Sequence, residues 1–228
     1  MNMNIKPPTI SVIMSVYNSE KTISKSIESI INQTFEDFQF LIMDDASTDS
    51  TSEILKQFSN SDKRIRLFKN QKNIGLTKSL NLLIKQVNSN YIARQDADDV
   101  SNKNRLSYQY KFLENSNFEG CSTRAIVKNS QRKIPGFSFY LPLKWVIKFK
   151  NPVIHGSLMI KKKTLNDLGN YNEKFYYSQD YKLIFDLINN NKNFKILNKV
   201  LYELNMEDNI STKYRKEQAY FSKQVKKL

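Results

Sequence analysis

The sequence predicts an α/β fold: an open, doubly wound, mostly parallel sheet with a smaller region attached. Three observations predict it. Short apolar, β-branched runs alternate with segments whose apolar residues recur at helical spacing. That alternation repeats through the first half, which implies parallel strands joined by right-handed crossovers. The polar and acidic clusters fall directly after the runs, where open parallel sheets place their ligands.

Each element has its own justification. Thr9 to Val16, "TISVIMSV", reads as a buried strand. Ser19 is placed to cap the next helix, where Ile23, Ile27, Ile30 and Ile31 form one stripe. "QFLIMDD" is a second strand, ending on Asp44 and Asp45. Ser50 and Glu53 have capping-box spacing for a second helix, packed through Ile54, Leu55 and Phe58. Asp49 also reads as a cap. "RIRLFKN" is a third strand, and after Asn73 and Gly75 a helix carries Leu76, Leu80, Leu83 and Val87. "NYIAR" is a fourth strand, and a helix with Leu106, Tyr110 and Leu113 inward follows the acids after it.

The second half is less regular. Residues 117–127 read as a strand, "GSLMIKK" as another, and Tyr181 to Ile188 as a helix. Residues 128–150 are basic and aromatic, with Phe137, Phe139, Tyr140, Trp145 and Phe149. From Lys213 to Leu228, Tyr214, Phe221, Val225 and Leu228 form a stripe among lysines. There is no internal repeat and no long linker, so residues 1–228 read as a single domain.

The totals set limits. The chain has 228 residues, 39% hydrophobic and 25% charged, which suits one globular domain with a real core. No stretch approaches the roughly 18 apolar residues of a membrane span. "MNMNIKPPTISV" lacks the apolar core of a signal peptide, so the expected site of action is cytoplasmic. The lone Cys121 excludes an internal disulfide and reads as packing. The formal net charge of +14 suits nucleic acid, anionic lipid or a phosphorylated small molecule. No recognition helix, zinc spacing or RNA-binding aromatic motif appears, so nucleic acid is not an expected partner. Neither G-x-G-x-x-G nor G-x-x-x-x-G-K-[ST] occurs, which removes dinucleotide and P-loop readings.

Against that positive background, "YIARQDADDVS" puts Asp96, Asp98 and Asp99 within four positions. Carboxylates this close repel unless some take up protons or a cation joins them. A hard divalent ion, Mg2+ or Mn2+, takes one or two carboxylates together with substrate phosphates. Tyr17 offers an aromatic face for a base and Asp45 an acceptor for a base N–H. With the strand ends converging, the set describes a site for a nucleoside diphosphate. A phosphoacceptor receiver domain also has paired acids after an early strand, but here the largest acidic cluster follows the fourth.

These residues carry a resemblance. "SVIMSVYNSEKTISKSIESIINQTFEDFQFLIMDDASTDST", "NIGLTKSLN", "YIARQDADDVSNKNRLSYQ", "NPVIHGSLMIKKKTL" and "YSQDYKL" resemble, in order, the segments of a family-2 glycosyltransferase of the Rossmann-like GT-A fold. The resemblance runs from about residue 9 to residue 205. It implies a nucleotide-sugar-binding half over about 9–127, an acceptor-side half over about 128–205, and a basic tail at 206–228. It implies a nucleotide site at Ser15, Tyr17, Asp45, Asp96 and Asp98, with uracil the usual base. It implies a metal, Mn2+ or Mg2+, at Asp96, Asp98 and Asp99, and a catalytic base at Asp180. It also puts His155, the sole histidine, near the metal, diphosphate or acceptor.

From the residues alone, Asp180 could instead cap the helix that follows, and His155 could be a structural hydrogen-bond partner. Ser15 and Gly156 stand where the family often has proline, and Gln179 where it usually has glutamate. The Q-x-x-R-W signature of processive synthases is absent, which favours one sugar per encounter. The resemblance implies an inverting transferase using a nucleotide sugar, usually a UDP-sugar. The acceptor would be a saccharide or lipid-linked glycan, in cell-surface polysaccharide or lipopolysaccharide biosynthesis. The C-terminal stripe suits either an interfacial helix on the inner face of the plasma membrane or a terminal helix packed on the domain. Residues 128–150 suit a saccharide, lipid headgroups, or core plus surface.

Overall fold

Four parallel strands set the architecture of the computed structural model, which describes residues 6–206 and 214–227. Strand β1 (Ile10–Val16) lies between β2 (Phe38–Asp44) and β4 (Tyr91–Arg94), with β3 (Ile65–Lys69) outside β2. All four run the same way. The order β3-β2-β1-β4 means that the chain winds outward, then returns to the other side of β1. That return creates the crevice at the carboxyl ends of β1 and β4.

Alternation along β1 explains why both faces are covered. Ile10, Val12 and Met14 point to one face, Ile13 to the other. The first face packs against α1 (Ile23–Ile31), α2 (Thr51–Ser61) and α4 (Arg105–Glu114), through Ile27, Ile30, Leu55 and Leu106. The second packs against α3 (Leu76–Gln86), through Leu80, Leu83 and Ile84. Cys121 is buried in the first core, and burial pushes its thiol up to about 12, so it is packing.

Beyond β4 the sheet becomes mixed. β8 (Met159–Lys161) runs antiparallel to both β4 and β6 (Gly120–Val127), and β9 (Phe194–Leu204) runs parallel to β6. β5 (Val100–Ser101) and β7 (Lys133–Ile134) are two-residue strands on β9 and β6. β1, β2, β3, β4, β6 and β9 therefore share one direction. The strand expected at "GSLMIKK" is shorter, because Gly156 and Ser157 lie in a 3-10 turn, His155–Ser157. Another 3-10 turn, Phe137–Tyr140, and α5 (Leu143–Val146) cross the basic aromatic stretch. α6 (Lys162–Asp167) and α7 (Gln179–Asn189) join the second face.

Two expected caps differ in detail. The Ser19 carbonyl, not its hydroxyl, accepts the amides of Thr22 and Ile23. The Ser50–Glu53 box does not form. Glu20 instead accepts the Ser50 amide at 3.0 Å, and the Asp49 carboxylate accepts the Thr51 amide at 3.0 Å and the Glu20 amide at 3.2 Å. The two carboxylates lace the loops after β1 and β2 together.

The C-terminal stripe packs on the domain. In α8 (Arg215–Lys226) Val225 is fully buried in the core shared with α7, and Phe221 meets Phe175 and Tyr177. Ser178 Oγ donates to the Gln218 carbonyl at 3.1 Å. Lys213 and Leu228 lie outside the described residues. No helix among the described residues is long and apolar enough to cross a membrane.

Candidate functional site

The loops after β1 and β2 form a braced rim. Asn18 takes a left-handed backbone (φ 47°), and its Oδ1 accepts the Thr48 amide at 2.8 Å. The neighbouring Tyr17 is 47% exposed, so its ring face is open to a ligand. Ser15 is half-buried on β1, opposite Met43. Asp44 turns into the loop, accepting the Ser47 amide at 2.9 Å and the Ser52 hydroxyl. Burial pushes its carboxyl up, but those hydrogen bonds and Lys69 outweigh burial and hold it below the usual range. Asp45 is buried and accepts from Asn70 Nδ2 at 2.8 Å, the Ile74 amide at 3.0 Å and the Gly75 amide at 2.8 Å. A carboxylate has about four lone-pair sites, so capacity for one more donor remains. Gly75 is required there: its φ is +88°, and a β-carbon would lie 2.6 Å from the Tyr176 ring.

The acidic cluster after β4 rests on two buried arginines. Arg94 is 1% exposed; its guanidinium donates to the Ile13 carbonyl at 2.8 Å and to Asp96. Arg105 is fully buried and donates to Ser101 Oγ at 2.7 Å and to the Arg94 carbonyl at 3.0 Å. The Tyr202 hydroxyl accepts the Asp96 amide at 3.2 Å. Asp99 faces inward, where its carboxylate accepts the Asn205 amide at 2.8 Å and is favoured in its charged form by the nearby Tyr202 hydroxyl. Burial, with Asp96 and Asp98 adding repulsion, holds the Asp99 carboxyl well above the usual range. Asp98 is pushed up to about 6 by burial first and the Asp96 charge second, opposed by its own backbone amide.

The three acids therefore have different surroundings. Among the described residues, no group of three His, Cys, Asp or Glu side chains is arranged to hold a metal ion. Asp96 and Asp98 are the pair whose mutual repulsion a cation would relieve. They fit a hard divalent ion completed by phosphate oxygens, the usual Mg2+ pattern. Asp98 also lines a small cavity of about 110 Å³ with Lys21, Lys25 and Lys128, side chains suited to phosphate charge.

A partly buried chain of side chains continues from this cluster. Arg94 Nε donates to His155 Nε2 at 3.4 Å, and Tyr171 Oη lies 2.7 Å from the same nitrogen. Since Nε2 accepts from Arg94, the imidazole proton belongs on Nδ1. Burial first, then Arg94, pushes the His155 pKa down to about 4, against the opposing pull of Asp96 and Asp180, so the ring is neutral at neutral pH. Asp180 occupies the first turn of α7, but the N-cap is Ser178 in a left-handed conformation, so Asp180 is not the cap. Its Oδ2 accepts from Asn151 Nδ2 at 2.8 Å. It lines a cavity of about 300 Å³ with Lys150, Asn151 and, from α8, Gln218 and Ser222.

The family model for glycosyl transferase family 2 matches residues 11–189. The chain belongs to that family. An uncharacterized glycosyltransferase of Methanocaldococcus jannaschii, MJ1057, is 34% identical over 226 residues, which is 93% of this chain and 77% of that one. S. aureus TarS in complex with UDP-GlcNAc superposes with a TM-score of 0.79 at 21% identity, over 95% of this chain and 65% of that one. The mannosyltransferase PcManGT of Pyrobaculum calidifontis, in complex with GDP-Man and Mn2+, gives 0.77 at 18% identity, over 96% and 63%. The fold is thus the GT-A fold, as expected.

Several residues of this candidate site are not legible in the sequence of this family-2 glycosyltransferase. Arg94 carried a signal: a cation ending an apolar strand, two residues before the acids. Tyr202, Tyr171 and Asn151 carried none, because each reaches the site from a segment distant in sequence. Gly156 stood out only as a departure from proline. Its α-carbon lies against Tyr202 and Asp96, and a β-carbon would fall 2.7 Å from Asp96 Oδ2.

Proposed function

We propose that the chain moves one sugar per encounter from a nucleotide sugar, a UDP-sugar, to a hydroxyl of a saccharide or lipid-linked glycan, with inversion. The observation that carries this reading is the link between Asp180 and the acidic cluster. Arg94 joins Asp96 to His155, His155 lies 2.7 Å from the Tyr171 hydroxyl, and Asn151, four residues before His155, donates to Asp180 at 2.8 Å.

The open ring of Tyr17 stacks on the base, and Asp45 offers its remaining lone pair to a base N–H. Ser15 lines the same crevice. Asp96 and Asp98 would hold a divalent ion, Mn2+ or Mg2+, which as a Lewis acid offsets charge on the departing diphosphate. The fold relatives' complexes with UDP-GlcNAc, and with GDP-Man and Mn2+, support a nucleotide-sugar donor and a divalent ion. Asp99, buried under Asn205 and Tyr202, supports the loop from behind.

Asp180 removes the proton of the acceptor hydroxyl as that oxygen attacks the anomeric carbon. A single base and direct displacement give inversion. The Asn151 amide orients one oxygen of Asp180 and leaves the other for the acceptor. The open cavity beside it, about 300 Å³, offers the side chains of Asn151, Gln218 and Ser222 to acceptor hydroxyls.

The experiment is a transfer assay with a panel of nucleotide sugars on wild type and Asp180→Asn. Transfer should fall by roughly 10²–10⁴-fold in the variant. Donor binding should hold. Normal turnover by Asp180→Asn would rule the assignment out.

A further inference from the structure

Four aromatic side chains stand out from the surface within residues 137–149: Phe137, Tyr140, Trp145 and Phe149. The sequence around them contains no acidic residue between Glu119 and Asp167. Arg132, Lys133, Lys144, Lys148 and Lys150 are exposed in that stretch.

Local packing fixes which side chains face out. Val146 and Ile147 are buried, and Tyr181 Oη donates to the Ile147 carbonyl at 2.7 Å, which clamps the turn from within. Residues four apart share a side of a helical turn. Trp145 and Phe149 are therefore forced outward together, with ring centroids 5.1 Å apart. Lys144 and Lys148 are exposed beside them. The result is a short wedge of two rings between two lysines.

We infer that this face is a docking surface for an anionic lipid bilayer. Aromatic rings of this kind settle at the headgroup boundary, and flanking lysines meet anionic headgroups. A second copy of this chain is a poor occupant, because a net charge of +14 repels itself. Trp145 and Phe149 pack against each other at an interplanar angle of 58°, unlike separate platforms for successive bases of a nucleic acid. Phe149 is followed directly by Lys150 and Asn151, which line the Asp180 cavity, so a bilayer on this face lies beside that cavity. The inference goes beyond glycosyl transfer and stands without it.

Trp145 is the sole tryptophan, so its emission reports on this face alone. The intact protein is titrated, without donor, with vesicles of phosphatidylglycerol in phosphatidylcholine and of phosphatidylcholine alone. A blue shift and co-sedimentation are expected with the anionic vesicles only. Binding should fall about tenfold or more in Lys144→Glu/Lys148→Glu and in Phe149→Ser, with the thermal midpoint showing that both variants fold. Undiminished binding by the variants, or sedimentation with no change in Trp145 emission, would overturn the inference. So would a response to an RNA homopolymer and none to vesicles. UDP binding is read separately, so a failure here is distinct from a failure of the proposed chemistry.

Discussion

The hydroxyl of Tyr202 occupies the place that a β-carbon on Gly156 would need: the two would be 2.1 Å apart. That hydroxyl also accepts the Asp96 amide and lies close enough to Asp99 to favour its charged form. Gly156→Ala should therefore displace Tyr202 from the acidic loop, costing about 2 kcal/mol through overpacking. The thermal midpoint should drop by roughly 6 °C. Combining it with Tyr202→Leu, which removes both the hydroxyl and the ring carbon that would lie 2.1 and 2.6 Å away, should cost less than the sum of the single changes. A strictly additive double variant would show that the contact is not the cause.

Arg94 holds the same loop from below. Arg94→Met leaves Asp96 without its buried partner and the Ile13 carbonyl without its donor, so stability should fall by about 3 kcal/mol. Denaturant titration measures it. Arg94→Lys should not restore it, because lysine lacks the planar fork that reaches Ile13, Asp96 and His155 together.

Acidification should act on the site in two opposed ways. The Asp98 carboxyl titrates near 6 in the folded chain against an ordinary 3.8. Between those values the folded state binds more protons than the unfolded, so Asp98 makes stability fall as pH rises through that window. Asp99 acts in the same direction. His155 does the reverse: with its pKa near 4 against 6.5, it makes stability fall as pH drops from 6.5 towards 4. Asp98→Asn removes the first effect. Without metal it should be more stable than wild type at neutral pH, by about 2 kcal/mol or less given its partial exposure. It should lose stability more steeply on acidification. Denaturation curves across the window test this, and parallel profiles for variant and wild type would contradict it.

Asn151 should behave as a positioning residue for Asp180. Asn151→Ala removes the amide that fixes one carboxylate oxygen, so kcat should fall by about tenfold with donor KM little changed. Steady-state kinetics with donor and acceptor varied separately checks the split. A rise in donor KM alone would place Asn151 in a different role.

The first half of the fold was legible because each strand there is a short apolar run followed by one amphipathic helix. β9 was not, for a physical reason. Its pairing with β6 slips on both sides of Arg124, with Thr123 opposite Leu197, Arg124 opposite Val200 and Ala125 opposite Tyr202. That irregularity breaks the two-residue period by which a strand is read. The acidic cluster was legible as a cluster, but not its division into an inward Asp99 and a repelling Asp96–Asp98 pair. That division depends on Asn205 and Tyr202, which arrive from β9 and its end. In the C-terminal stripe the spacing is equally suited to lipid and to protein, and the burial of Val225 with the Phe221 ring contacts distinguishes them.

The central claim is that Asp96 and Asp98, with a divalent ion, receive the diphosphate of a nucleotide sugar. Calorimetric titration of UDP into the intact protein, with and without manganese, tests it most directly. The expected result is binding that requires manganese and disappears in Asp98→Asn, a variant that otherwise folds. No UDP uptake by the wild type with manganese present, or equal uptake by Asp98→Asn, would contradict it.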